Sequence, residues 1–149
     1  MAPADNNATG SGKVDPTGNG EQSTFLLAAG FVVDEMGPDR VTGHINLGPE
    51  HYTPWGVVHG GVFLSAVESA ASIGASLAVE ALGQIAVGVH NATDFIRGPY
   101  GGRAEVVALP IQPGAVQQLW EVAITRADDG RTLAQGRVRL QNVAPRART

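Results

Sequence analysis

The residues that could do chemistry gather in one stretch, Trp55–Leu82, with the sequence WGVVHGGVFLSAVESAASIGASLAVEAL. Between His59 and Glu80 the only charged residue is Glu68, and its neighbours are apolar or small. A carboxylate in apolar surroundings is costly unless a hydrogen bond satisfies it or a reaction uses it. The stretch therefore predicts a buried helix that carries an acyl-transfer site.

The polar turn at the start of this helix could polarise a carbonyl group. The first N–H groups, from Gly60 onward, lack partners within the helix and lie at the positive end of its dipole. Gly60 and Gly61 let a substrate carbonyl approach the backbone closely, so these N–H groups could stabilise an oxyanion. His59 could orient this turn or contact the substrate. The simpler alternative is that the glycines only relieve crowding at a helix start.

Glu68 could act as a nucleophile or as a general base for water. Ser72 lies one turn further along and could hydrogen-bond Glu68 or the water. The simpler alternatives are a glutamate that is satisfied by hydrogen bonds or by an arginine, and a serine that is satisfied within its helix. The isolation of this carboxylate eight residues after Gly60 favours the catalytic interpretation.

The spacing of Gly60 and Glu68 limits how they can act together. Eight residues of helix span about 12 Å, so both groups cannot easily reach one carbonyl carbon from one chain. Two antiparallel helices packed about a two-fold axis would bring Gly60 of one chain against Glu68 of the other. The small residues between Ala66 and Ala75 allow such close packing. We therefore predict a homodimer with two sites at its interface.

The rest of the chain predicts the elements that must position this helix. The polar, glycine-rich residues 1–22 predict a disordered tail, residues 23–143 a single domain, and residues 144–149 a basic tail. Ser23–Gly30 predicts a short helix, with Ser23 as its cap and Gly30 as its stop. Alternation and turn residues predict the strands Phe31–Met36, Arg40–Leu47, Ile85–Val89, Arg103–Pro110, Gln117–Arg126 and Arg131–Val143. The predicted fold class is α+β, with one curved antiparallel sheet wrapped around one long helix.

Composition and spacing argue against several other classes of protein. The chain has no cysteine, which excludes a disulfide framework and a cysteine nucleophile. Its four histidines lack metal-ligand spacing and its serines lack a GxSxG elbow, so we expect neither a metal nor a serine triad. The net charge of −4 argues against nucleic-acid binding. The acidic and small residues of the long helix favour a soluble protein over a membrane span.

Charge and polarity point to the parts of the chain that could bind a ligand. Residues 97–149 carry eight arginines and four acidic residues, which would suit an anionic ligand such as a phosphorylated cofactor, although solvated strand edges explain any single arginine equally well. Asn91, Thr93 and Asp94 follow a predicted strand as a polar loop and could line the pocket. No signal peptide is evident at the start of the chain, and we expect a cytoplasmic protein.

The motif HGGVFLSAVESAAS resembles the hotdog-fold acyl-CoA thioesterases of the phenylacetate type, in particular the glutamate-dependent 4-hydroxybenzoyl-CoA and 1,4-dihydroxy-2-naphthoyl-CoA thioesterases. The resemblance covers residues 31–143. Its specific part is WGVVHGG followed by Glu68, supported by DFIRGP and by QLWEVAITRADDGR. It implies a hotdog fold and an enzyme that hydrolyses a small aromatic or medium-chain acyl-CoA. No cofactor is expected, because CoA is part of the substrate.

The resemblance also implies roles for single residues. It makes Glu68 the catalytic carboxylate and the Gly60 N–H the group that polarises the thioester carbonyl from the other subunit. The position of His59 helps to place the thioester, that of Ser72 assists Glu68, and that of Arg97 contacts the CoA nucleotide. Because the fold usually assembles as a dimer of dimers, the resemblance implies a homotetramer.

The chain departs from the family pattern at two positions. Thr53 stands where the family often has a glutamine or asparagine that binds the thioester or the water. The resemblance also makes Gly114 a CoA-binding position, but Ala115 and Val116 follow it where relatives place a serine or threonine near a CoA phosphate. The departures imply slower catalysis or different CoA binding, and they keep open a non-catalytic acyl-CoA-binding module or sensor. A purely structural oligomer is a third hypothesis, which leaves Glu68 unexplained.

Overall fold

A computed structural model describes residues 23–98 and 101–146 of the chain. The predicted tail over residues 1–22 and the last part of the predicted basic tail lie outside the described residues, so both stay predictions. The elements, in chain order, are α1 (Thr24–Ala29), β1 (Phe31–Met36), β2 (Val41–Leu47), α2 (Gly60–Val79), β3 (Ile85–Phe95), β4 (Gly102–Pro113), β5 (Gln117–Arg126) and β6 (Thr132–Val143). Short 3-10 turns cover Pro49–His51 and Glu80–Leu82.

The strands form one antiparallel sheet in the order β1-β2-β4-β5-β6-β3, and α2 packs across one face of it. Alternation explains the packing, because every second residue of a strand points to the same face. Trp120, Val122 and Ile124 on β5 are fully buried against the helix side. This arrangement confirms the predicted α+β architecture of one long helix on one antiparallel sheet.

The long helix begins and ends where the sequence predicts. His59 is its N-cap, and the extension through the second 3-10 turn ends at Gly83, whose φ of 67° is left-handed. Gly74 lets the helix approach the sheet closely, because a Cβ there would overlap the Trp120 ring. The segment Gly60–Leu82 is long and apolar enough to span a membrane, but such helices are also found in soluble cores, and here it packs on the sheet.

Two strands are longer than predicted. The prediction that ends a strand at Val89 is wrong, because β3 continues to Phe95 and pairs with β6 throughout. The pairing is interrupted by a bulge between Gly88 and His90, just before the polar run. The strand predicted to end at Pro110 continues to Pro113, again past a bulge.

Candidate active site

The first turn of α2 leaves one backbone donor free. The ring of His59 caps the helix, because its Nδ1 accepts a hydrogen bond of 2.8 Å from the Gly61 N–H. The Val62 N–H donates to the His59 carbonyl at 3.0 Å. The Gly60 N–H has no hydrogen-bond partner within residues 23–98 and 101–146. Of the two glycines predicted to face a carbonyl, only Gly60 therefore offers an unused donor.

A phenyl ring covers the backbone at Gly60. A Cβ added to Gly60 would lie 2.9 to 3.2 Å from atoms of the Phe95 ring, which is itself 53% exposed. Glycine at this position therefore allows the end of β3 to lie close to the start of α2. The ring therefore lies beside the Gly60 backbone, on the side where other residues carry a Cβ.

Glu68 is half-buried, whereas the sequence predicts a buried carboxylate. Its Oε2 accepts a hydrogen bond of 3.0 Å from the Asn91 amide Nδ2. The Asn91 amide oxygen in turn accepts a hydrogen bond of 2.7 Å from the Thr93 hydroxyl. The other carboxylate oxygen, Oε1, lies against the backbone of Gly88, where a Cβ would overlap it. The bulge in β3 thus brings the strand backbone close to the carboxylate.

The polar residues of β3 divide between the two faces of the strand, which corrects their assignment to one loop. Asn91 and Thr93 are half-buried and lie on the side of Glu68. Asp94 is exposed and lines a groove with Glu121 and Arg137, away from the helix. Strand alternation causes the split, because neighbouring side chains of a strand point to opposite faces.

No hydrogen bond in the described part of the chain tests the roles predicted for Ser72, as a partner of Glu68, and for Thr53, in substrate binding. Ser72 is half-buried one turn beyond Glu68, and its hydroxyl has no hydrogen bond among the described residues. The Thr53 hydroxyl is buried and, among the described residues, has no hydrogen-bond partner. The roles of both stay predictions.

The two residues predicted to bind CoA lie at opposite ends of β6. The Arg97 guanidinium donates to the Thr132 carbonyl at 2.8 Å, at the start of the strand. The Gly114 carbonyl accepts from the Asn142 amide at 3.0 Å, near its other end. Ten strand residues place these ends roughly 30 Å apart. The structure therefore does not bring Arg97 and Gly114 together within one chain.

The spacing along α2 agrees with the sequence prediction, because the helix runs without interruption from Gly60 past Glu68. The free N–H and the carboxylate are therefore about 12 Å apart along one chain. Three contacts were not predicted, those of Asn91 and Gly88 with Glu68 and that of Phe95 with Gly60. A glycine inside an apolar strand signals a bulge or a close approach, so Gly88 could have been found. Phe95 carried no such signal.

Within residues 23–98 and 101–146, no group of three or more His, Asp or Glu side chains could hold a metal ion. The expectation of a reaction without metal or cofactor stays a prediction. The site as described offers a carboxylate held by an amide, a free N–H at a helix start, and a capping histidine.

The chain is similar in sequence and in fold to several known proteins. Residues 56–133 match the thioesterase superfamily. Rv1847 of Mycobacterium tuberculosis, named an esterase, is 40% identical over 124 residues, which cover 82% of this chain and 88% of that protein. Its solved structure gives a TM-score of 0.79 at 39% identity, covering 84% of this chain and 100% of that one.

Two further relatives have the same fold or a related sequence. The 1,4-dihydroxy-2-naphthoyl-CoA thioesterase 2 of Arabidopsis thaliana is 35% identical over 105 residues, covering 68% of this chain and 64% of that protein. The crystal structure of AziG from S. sahachiroi gives a TM-score of 0.77 at 34% identity, covering 83% of this chain and 98% of that one. The predicted hotdog fold is confirmed, and the chain belongs to the thioesterase superfamily.

Proposed function

We propose that this thioester hydrolase cleaves a small aromatic or medium-chain acyl-CoA to the free acid and CoA. The observation that carries the proposal is that one helix presents two catalytic groups. These are the Glu68 carboxylate, which Asn91 holds by a hydrogen bond, and the unused Gly60 N–H. The naphthoyl-CoA thioesterase among the relatives supports an aromatic acyl-CoA. CoA is part of the substrate, and the reaction needs no other cofactor.

The Gly60 N–H polarises the thioester carbonyl and stabilises the oxyanion, helped by the positive end of the α2 dipole. Glu68 either attacks the carbonyl carbon or takes a proton from the water that does so. The carbon–sulfur bond then breaks, and the CoA sulfur leaves as the thiol once it is protonated. If Glu68 is the nucleophile, water then hydrolyses the resulting mixed anhydride, which releases the free acid and restores the carboxylate. Ser72 assists Glu68. The His59 ring uses Nδ1 as the helix cap, which leaves its Nε2 edge for the thioester.

The two groups act on one carbonyl only if they come from two chains, because about 12 Å of helix separates them within one chain. A homodimer is the smallest assembly that completes the site, and a homotetramer is the assembly we expect from the resemblance. The open edge of the sheet supports a dimer contact, because β3 is an edge strand whose Val87 and Val89 are 46% and 55% exposed. Unpaired strand edges readily pair with another chain.

CoA binding is shared between chains in this proposal. Arg97 contacts the nucleotide, and Thr53 and Gly61 lie beside the thioester. The roughly 30 Å between Arg97 and Gly114 means that a single nucleotide meets both only if they belong to different chains. We also propose a cytoplasmic protein that binds neither membranes nor nucleic acids.

Release of free thiol from a panel of acyl-CoAs tests this function, with the wild type compared with Glu68→Gln. We expect Glu68→Gln to lose nearly all turnover and still to bind CoA esters, because the amide keeps the shape of the side chain and lacks its charge. Glu80→Gln, an exposed glutamate after the end of the same helix, is the matched control and should keep full activity. Undiminished hydrolysis by Glu68→Gln would rule out the mechanism. Saturable binding by the wild type without thiol release would support the binding module.

A further inference from the structure

The edge strand β3 carries unpaired charges on the face that points away from α2. His90, Ala92 and Asp94 are exposed there and alternate with the inward-facing residues of the strand. Arg139 of β6 is exposed on the same face and lies opposite His90. Within the described residues, the side chains of His90, Asp94 and Arg139 have no hydrogen bond and no ion pair. The edge therefore presents an unused carboxylate and, two residues away, two unused basic side chains.

The contacts between β3 and α2 determine where a two-fold axis would cross the strand. Glu68 lies against Gly88, and Gly60 lies beside Phe95, so the two contacts mark two levels on β3. The proposed function requires an axis that exchanges Gly60 of one chain with Glu68 of the other. Such an axis must pass midway between the two levels, because it maps each level onto the other.

The pairing of β3 with β6 identifies the residue at that midpoint. Gly88 and Phe95 pair with Leu140 and Ala134 of β6. Midway between these two partners lies Arg137, and Arg137 pairs with Ala92. A two-fold axis that completes the active sites therefore crosses the sheet edge at Ala92.

Antiparallel pairing of two β3 strands about this axis brings the unused charges together. Ala92 then lies opposite its own equivalent, and His90 of each chain lies opposite Asp94 of the other. Opposite side chains have Cβ atoms about 4.5–5.5 Å apart, so the His90 ring can donate to the carboxylate in either protonation state. Arg139 lies two strand spacings, or about 10 Å, from the same carboxylate, and its extended side chain can reach across His90.

Charge complementarity selects this register over the two adjacent ones. Residues opposite each other in an antiparallel pair point to the same face, so a symmetric pair always has one residue opposite itself. A register centred on Asn91 would place Asp94 opposite Gly88, and one centred on Thr93 would place it opposite Ala92. Of these three registers, only the one centred on Ala92 gives Asp94 a basic partner. The positions of the helix contacts and the pattern of charges thus indicate the same register independently.

We propose that two copies of the chain join at β3 in the register centred on Ala92. In this pairing the Asp94 carboxylate of each chain contacts His90 and Arg139 of the other. The proposal rests on the proposed function, which places the axis, and it gives these charges the role of aligning the two active sites. Pairing through β1, the other edge strand, and pairing of β3 in a different register are the competing outcomes of the test.

Single cysteines test the register directly, because the chain has no cysteine of its own. In Ala92→Cys the two introduced thiols lie opposite each other, with Cα atoms about 4.5–5.5 Å apart, which is within the range of a disulfide. We expect a covalent dimer after mild oxidation, seen on a non-reducing gel. His90→Cys is the matched control at the next outward position, because its two copies would be about 13 Å apart and should not cross-link.

The outcomes of the cross-linking experiment separate the alternatives. More efficient cross-linking by His90→Cys than by Ala92→Cys would overturn the register, and cross-linking by neither would overturn the pairing at β3. The oxidised Ala92→Cys dimer should release CoA at the wild-type rate from benzoyl-CoA or decanoyl-CoA, whichever the wild type cleaves faster, as measured by chromatography. A covalent dimer without activity, beside an active wild type, would show that this pairing does not complete the site and would overturn the proposal.

A charge exchange tests the contacts of Asp94. Asp94→Lys places a cation opposite His90 and beside Arg139 of the other chain, and should raise the dissociation constant of the dimer about tenfold or more. Asp39→Lys, the same charge change in the exposed turn between β1 and β2, is the control and should stay within about twofold of the wild type. Combining His90→Glu with Asp94→Lys in one chain restores opposite charges at both contacts and should recover most of the affinity.

Sedimentation velocity over a dilution series measures these dissociation constants. Equal values for Asp94→Lys and Asp39→Lys, or no recovery in the double variant, would overturn the contacts of Asp94. If the wild type hydrolyses acyl-CoA and Ala92→Cys forms no covalent dimer, only this inference fails. If the wild type releases no thiol from acyl-CoA, the proposed function fails, and the cross-linking pattern still decides the register.

Discussion

The two ends of α2 differ in how their polar groups are satisfied. At the start of the helix, the Gly60 N–H lacks a partner in the described part of the chain, and Leu64 exposes an apolar side chain. Glu68 is half-buried and is held on only one of its oxygens by a side chain. This end has donors, acceptors and apolar surface that are left for a ligand.

The second half of the helix lies over a buried network in which polar groups are paired. Gln118, only 2% exposed, donates to the Ala75 carbonyl at 2.9 Å and to the Asn142 amide oxygen at 2.8 Å. Its own amide oxygen accepts from the Trp120 ring N–H at 3.0 Å. Asn142 then donates to the Gly114 carbonyl, which ties the β4–β5 turn to the same network.

Because of this difference, the first turns of the helix are available to a ligand, whereas its later turns hold it on the sheet. A fully paired buried network fixes the helix on the sheet, because any lost partner leaves a buried group unsatisfied. The free groups at the other end cost little there because they are close to the surface. Substitutions at the two ends should therefore separate activity from stability.

At the start of the helix, the largest effect on activity is expected from removing the free donor with Gly60→Pro. Proline is well accepted at the first position of a helix, and His59 before it has the extended conformation that proline requires. The lost oxyanion donor should lower kcat roughly 100- to 1000-fold. Gly60→Ala is the control, because it adds the same Cβ beside Phe95 and keeps the N–H. Equal rates for the two variants would show that the N–H is not used.

Mixed dimers sharpen this test of the two-chain site. A dimer that combines one Gly60→Pro chain with one Glu68→Gln chain has one intact site if the groups come from different chains. Such differently tagged mixed dimers should recover about half of the wild-type rate, since one of the two sites in the proposed interface is complete. Mixed dimers as inactive as the parent variants would place both groups of a site in one chain.

The largest effect on stability is expected from Gln118→Ala, on β5 below the second half of α2. The change leaves the Trp120 N–H and the Asn142 amide oxygen unpaired in the core, at a cost of about 3 kcal/mol in the free energy of unfolding. Gln117→Ala is a matched control, because Gln117 pairs with Gln141 at the surface and should cost less than about 0.5 kcal/mol. Urea denaturation at a fixed protein concentration measures both, and similar losses would contradict the comparison.

The helix and most strands could be predicted from the sequence, because their signals are local. His59 and Gly83 mark the ends of the helix, and the alternation around Trp120 fixes the inward face of β5. The second half of β3 could not be predicted, since its polar run HNATD is typical of a loop. Pairing with β6 holds that run in the sheet, a tertiary effect that outweighs local preference.

The candidate site could be predicted in part for the same reason. Glu68 stands out as the lone charge of an apolar helix, and Gly60 stands at a helix start, so both are visible in the sequence. The contact of Asn91 with Glu68 joins residues 23 positions apart and depends on the bulge in β3. The separation of Arg97 from Gly114 depends on the order of the strands, which no local pattern contains.

A smaller effect on activity is expected from Asn91→Ala, which removes the side-chain donor to Glu68. Hydrogen bonds to charged groups contribute about 1.5 to 3 kcal/mol. Because the site is half-exposed, we expect the lower value of this range, which corresponds to roughly a tenfold loss of kcat. Because Asn91 positions the carboxylate, KM should stay unchanged while kcat falls. Asn46→Ala, an exposed asparagine on β2, is the control. A rise in KM at constant kcat would instead make Asn91 a substrate-binding residue, as the sequence predicts.

The smallest effect is expected from Thr93→Val, which acts on Glu68 only through Asn91. The Thr93 hydroxyl donates to the Asn91 amide oxygen, and so it keeps the NH₂ side of that amide towards the carboxylate. Valine preserves the shape of the side chain beside Gly136. Without the hydroxyl, the side-chain amide of Asn91 can rotate, so that in part of the molecules its oxygen, and not its NH₂ group, faces Glu68. We expect about a threefold loss of kcat, the value of one neutral hydrogen bond. Thr93→Ser, which keeps the hydroxyl, should restore the rate; if serine and valine lose equally, packing at Thr93 rather than the orientation of the amide controls the carboxylate.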